Sequence, residues 1–153
     1  MTTPIYLVAK ENIEMVWPIA KELVDKALVH TDRRMESYDA LRMILEDEMQ
    51  LWVGFKDEEI FSAFLTKIQH YPRYRNLQIV TYATTTGHGA DFPTCIDTFM
   101  DFGRMNGCVS LEAWCRKGLV RTLPDWDHLY SVISKPIKPI EPKKQRTKKQ
   151  RRR

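Results

Sequence analysis

The spacing of apolar residues divides the chain into stretches of helical and of extended period. Pro4 to Lys10 reads as a short strand. After Asn12, a candidate cap, Val16, Ile19, Ala20, Leu23 and Ala27 recur at helical spacing, with Glu14, Lys21, Glu22, Asp25 and Lys26 between them. Pro18 suits only a first turn, so the regular helix is expected to start near Trp17. His30 to Glu36 is polar and reads as a loop. Ser37 then caps a second helix, with Asp39 in its first turn and Leu41, Ile44 and Leu45 on one face. At Met49 the period changes. Met49 to Lys56 alternates as a strand, Asp57-Glu58-Glu59 turns, and Ile60 to Tyr71 is a second strand that Pro72 ends. Arg73 to Asn76 turns again and Leu77 to Ala83 follows as a third strand of the same meander.

The next stretch organises the rest. The strand from Leu77 leads into Thr84-Thr85-Thr86-Gly87-His88-Gly89-Ala90, then a helix from Asp91 to Asn106, then a strand from Val109 to Cys115. In the helix Ile96, Phe99, Met100 and Met105 are the apolar positions, and Asn106-Gly107 stops it. A strand that ends in Gly-x-Gly and opens into a helix aims backbone N–H groups at one spot beside the positive end of the helix dipole. That is the framework of an anion site, although the same glycines also serve a plain tight turn. Residues 116 to 125 read as a short helix or loop, and Trp126 to Ser134 as a final strand with Leu129, Val132 and Ile133 apolar. The order β-α-α-β-β-β-α-β-(α)-β predicts an α+β fold, a mixed and mostly antiparallel sheet with helices on both faces.

Composition adds three limits. A chain of 153 residues, 43% hydrophobic, suits one globular domain over residues 1–134. No secretory signal and no apolar run near the roughly 20 residues of a membrane span is present, so a soluble protein is expected. Cys95, Cys108 and Cys115 form no Cys-x-x-Cys pair, and with four scattered histidines there is no metal spacing. Cys108 and Cys115 on one strand would lie about 23 Å apart, beyond a disulfide. Buried, reduced thiols are the expectation, although Arg116 and Lys117 beside Cys115 could lower its pKa.

Charge separates the chain into two parts. Residues 1–134 carry fourteen basic and nineteen acidic side chains; residues 135–153 carry ten basic and one acidic, Glu141. An acidic body therefore precedes a strongly basic run, in which Pro136, Pro139 and Pro142 recur every third residue. Such a segment buries too little apolar surface to fold alone and is expected to be extended and mobile, a disordered tail. Its cations, Lys143, Lys144, Arg146, Lys148, Lys149, Arg151, Arg152 and Arg153, suit a polyanion bound through counterion release. No aromatic residue is interleaved, so contact there should ignore base sequence; DNA and an acidic protein surface both fit.

The element order and the Gly-x-Gly turn after the fourth strand resemble the GCN5-related N-acetyltransferase (GNAT) superfamily over residues 4–134. The stretch Glu112-Ala113-Trp114-Cys115-Arg116-Lys117-Gly118 with Leu123-Pro124 resembles GNAT-like proteins encoded among tailed-phage virion genes. The resemblance implies that acetyl-CoA, if used, lays its pyrophosphate on the amides of Gly87, His88, Gly89 and Ala90 and its pantetheine arm along Tyr82 and Ala83. It also sets out departures. Thr84 stands where the family has Arg or Gln. No tyrosine stands between Arg116 and Leu123, where the family commonly keeps a proton donor, and Tyr130 comes late. Asp91 caps the helix, worth about 1 kcal/mol, yet competes for the same amides and repels a pyrophosphate, which His88 could partly offset.

Glu112 alternates with Leu111 and Ala113. It is a candidate general base for an amine, against the commoner solvated or salt-bridged strand carboxylate. Trp52, Phe55, Phe61 and Phe64 read as core, and His70 with Tyr71 as surface. The expectation is a phage GNAT-fold protein with a degraded acetyl-CoA site and no cofactor. It would be virion- or assembly-associated, meeting other virion proteins or DNA in the host cytoplasm, with no membrane. The alternative is an active acetyl-CoA-dependent N-acyltransferase.

Overall fold

A computed structural model describes residues 4–29, 34–85, 92–115, 120–121 and 123–140. The elements run β1 (Ile5–Leu7), a 3-10 turn (Lys10–Asn12), α1 (Ile13–Leu28), α2 (Ser37–Leu45), β2 (Gln50–Lys56), β3 (Glu59–His70), β4 (Arg75–Thr84), α3 (Phe92–Met105) and β5 (Cys108–Ala113). The five strands form one sheet in chain order. The first three pairings are antiparallel, and β4 pairs β5 in parallel through the α3 crossover.

The two faces of the sheet carry different cores. On one, Trp17, Ala20 and Val24 of α1 and Ala40 and Ile44 of α2 cover Leu51, Val53 and Leu65. On the other, α3 lays Phe92 and Phe99 over Phe64, and Phe99 and Phe102 meet the Trp52 ring edge-on. Tyr82 stacks on Phe64 at 4.4 Å. Strand β3 is therefore buried on both sides, and Phe64 and Leu65 are fully enclosed.

Several local expectations change. Helix α1 begins at Ile13, with Pro18 inside it. Pro18 lies at the exposed face, so the one backbone acceptor it leaves unmatched, the Glu14 carbonyl, is on the water side. Asn12 makes no side-chain cap bond. In α2 the cap is Glu36, not Ser37: the Asp39 carboxylate accepts the Glu36 N–H at 3.1 Å. Phe55 is not core but 40% exposed, because the strand shifts register between Gly54 and Phe55 and turns that ring out against Tyr6. In α3 the buried stripe is Phe92, Cys95, Phe99 and Gly103, whereas Met100 and Met105 are exposed.

The chain divides into two units, Met1–Leu123 and Pro124–Arg153. In the second, residues 124–140 hold no helix or strand, so the expected strand from Trp126 to Ser134 is not formed. Leu129, Val132 and Ile133 do not share a period-two face, so no single register could bury all three, and each is exposed. Among the described residues β5 is the outer strand. No described helix is long and apolar enough to cross a membrane.

Candidate functional site

The site is made by the way β4 leaves β5. Opposite β3, Leu65 pairs Thr81 and the next residue, Thr66, pairs Ile79, so Val80 is an extra residue, a β-bulge. A bulge raises the local twist and bends its strand. Pairing with β5 runs from Arg75 to Ile79 and ends just before it. Val80 to Thr84 continue with no β5 partner among the described residues. Tyr82 and Ala83 lie on this stretch of β4. The Tyr82 ring belongs to the α3-side aromatic cluster, and Ala83 packs with Leu23 and Ala63.

Glu112 stands near the end of the β4–β5 pairing. It pairs across to Gln78, one residue before the last β4–β5 pair. The residue is half-buried. Its carboxylate accepts from Asn76 Nδ2 and from Trp114 Nε1, the latter at 3.1 Å. Beside it Gln69 Nε2 donates to Gln78 Oε1 at 2.7 Å. Asn76 is 1% exposed, and its Oδ1 has no hydrogen-bond partner among the described residues. Neutral donors thus hold the carboxylate in one orientation. An oriented carboxylate beside a buried acceptor can receive a proton from an amine or hold a cation.

Sequence reasoning placed Glu112 on its face but missed Asn76, which it read as the end of a turn. Trp114, two residues from Glu112, was legible by strand period. Asn76 was not, because its meeting with Glu112 depends on the parallel register.

At the far end of β4, Thr84 is 3% exposed. Its carbonyl accepts the ammonium of Lys26 from α1 at 3.0 Å, and the Thr85 N–H donates to the Phe61 carbonyl at 2.9 Å. Lys26, read only as a solvated helix charge, therefore puts a cation at the strand end that leads into the glycine turn. Gly87, His88, Gly89, Ala90 and Asp91 lie outside the described residues, as do Arg116 to Leu119 and the basic run from Lys143 to Arg153.

The thiols differ from expectation. Cys95 is buried, Cys108 half-buried and Cys115 exposed as a residue. Burial pushes the Cys108 thiol up against the pull of Arg75, and partial shielding of its sulfur pushes Cys115 up as well. No group of three metal-ligating side chains occurs among the described residues.

No family model matches the sequence. No curated protein matches it either. Solved structures do. A GNAT family acetyltransferase from Staphylococcus aureus superposes with a TM-score of 0.59 at 12% identity, covering 90% of this chain and all of that one. An aminoglycoside acetyltransferase from an uncultured soil metagenomic sample gives 0.63 at 12% identity, over 92% and 100%. A ribosomal-protein-alanine N-acetyltransferase from Brucella melitensis gives 0.59 at 14% identity, over 92% and 100%. Sheet order, the bulged β4 and these superpositions agree: the chain has the fold of the GNAT acetyltransferases.

Proposed function

We propose that this chain is a GNAT-fold protein that no longer transfers acetyl groups and serves in the virion or its assembly in a tailed phage. Its folded body docks on another virion protein, and its basic run reaches DNA or an acidic surface in the host cytoplasm. The observation that carries this reading is at Thr84. Where the family opens the turn with a long polar Arg or Gln, this chain has the short, buried Thr84, whose backbone carbonyl accepts the Lys26 ammonium. The resemblance of residues 112–118 to phage proteins supports the setting.

Thermal denaturation with acetyl-CoA tests it. A site with a dissociation constant near 10 μM would gain about 2.7 kcal/mol from 1 mM cofactor, a rise of several degrees. No shift at millimolar acetyl-CoA is the expected result, and a clear rise would overturn the reading.

The geometry of Glu112 favours one alternative, an acetyl-CoA-dependent N-acyltransferase. The amides of Gly87 to Ala90 would then hold the pyrophosphate, β4 at Tyr82 and Ala83 the pantetheine, and Glu112 would take the proton of the acceptor amine. Under that reading Glu112→Gln abolishes turnover while acetyl-CoA binding is kept.

A further inference from the structure

The β3–β4 connection lies in a stretch of the folded body without acidic residues. From Ile60 to Ala90 the sequence holds no aspartate or glutamate, while Lys67, Arg73 and Arg75 contribute positive charge. This stretch sits within a body whose net charge is otherwise acidic. At its tip Tyr71, Pro72, Arg73 and Tyr74 join His70 to Arg75, and all six residues are exposed.

The tip is ordered from within. The Tyr71 N–H donates to the Tyr74 carbonyl at 2.9 Å. The two rings lie 5.5 Å apart between centroids, tilted by 48°. Each is still about half open, at 41% and 48%. Arg75 reaches the Asn106 carbonyl at the end of α3 at 3.5 Å. No hydrogen bond or ion pair engages Arg73 among the described residues. The acid nearest in strand register, Glu112, is held by Asn76 and Trp114.

We infer that this tip is a binding site for single-stranded nucleic acid. Two pre-oriented phenol rings offer stacking faces at low entropic cost, and the Arg73 guanidinium beside them meets the phosphate backbone. The rings select single strands because a duplex hides its base faces within the stack. The tip contributes what the basic C-terminal run lacks, aromatic surface, and it acts independently of that run.

The test uses the full chain and fluorescence anisotropy, with a labelled 15-nucleotide oligothymidine and a duplex of equal length across a salt series. Replacing both tyrosines by alanine should weaken single-strand binding about tenfold or more and leave duplex binding unchanged. Replacing both by phenylalanine should retain it. Arg73→Gln should reduce the slope of log K against log salt by about 0.7 for the single strand. These positions are exposed, and an unchanged melting temperature verifies that the variants fold. Wild-type single-strand affinity in the double alanine variant overturns the inference. So does an equal loss for single strand and duplex, or a chain that binds no oligonucleotide. Removal of residues 135–153 would lower both affinities together, which separates a failure of the tail from a failure of the tip.

Discussion

Two side chains show at the residue scale how polar groups are placed in this fold. Trp52 lies within the α3-side core, and its Nε1–H donates to the Thr66 hydroxyl at 2.9 Å, which in turn donates to Gln50 Oε1 at 2.9 Å. Trp52→Phe removes the first bond and part of the edge-on contact with Phe99 and Phe102. We expect a loss of about 2 kcal/mol in urea denaturation, from one buried hydrogen bond plus a small cavity. Asp25 is different because it is half exposed. Its hydrogen bonds from the Lys21 ammonium and from Ser37 hold its carboxyl below the ordinary value of 3.8. A lowered folded-state pKa gives stability that is complete above the unfolded value and lost as pH falls through the folded one. Asp25→Asn should therefore lower stability at neutral pH and flatten its decline below about pH 4, read from denaturation midpoints between pH 2 and 6. Parallel pH profiles for variant and wild type would contradict this.

At the scale of elements, the β2–β3 turn is the least relaxed part of the described backbone. Asp57 and Glu58 both take positive φ, 52° and 65°, without being glycine. That is the left-handed pair a two-residue hairpin turn needs to match strand twist, and it favours glycine at the second position. Glu58→Gly should raise stability by about 0.5–1 kcal/mol, measured by urea denaturation, since it relieves a left-handed non-glycine residue. A decrease would mean that the Glu58 side chain holds the turn.

Helix α3 shows why element faces were only partly legible. The apolar pattern pointed to Met100 and Met105, yet the core takes Cys95 and Gly103. A Cβ at Gly103 would already lie 3.5 Å from that of Cys108 and 3.8 Å from that of Leu77. Close approach to the sheet selects small residues there, and hydropathy does not score smallness. Element order and boundaries, by contrast, were readable to within a few residues from Pro4 to Ala113. Strand and helix periods are written locally along the chain.

The whole molecule divides by charge, and its largest predicted effect follows from that. If the basic run meets DNA by neutralising phosphates, affinity should fall steeply with salt, with a slope near −0.9 for each phosphate contacted. Deleting residues 135–153 should abolish most of that slope in an anisotropy titration of duplex DNA. An unchanged slope would move the contact to the folded body.

The sequence by itself determined the order of strands and helices, the two hairpins, the acidic body with its basic end, and the strand–turn–helix on which the GNAT resemblance rests. Tertiary structure alone decided the rest. It set the bulge at Val80, the point where β4 parts from β5, and the meeting of Asn76, Glu112 and Trp114 at that point. It also left Trp126 to Ser134 without strand structure. Periodicity reports how a residue faces relative to its chain neighbours. Register between strands separated by a helix is fixed by packing across the sheet, which no local pattern encodes.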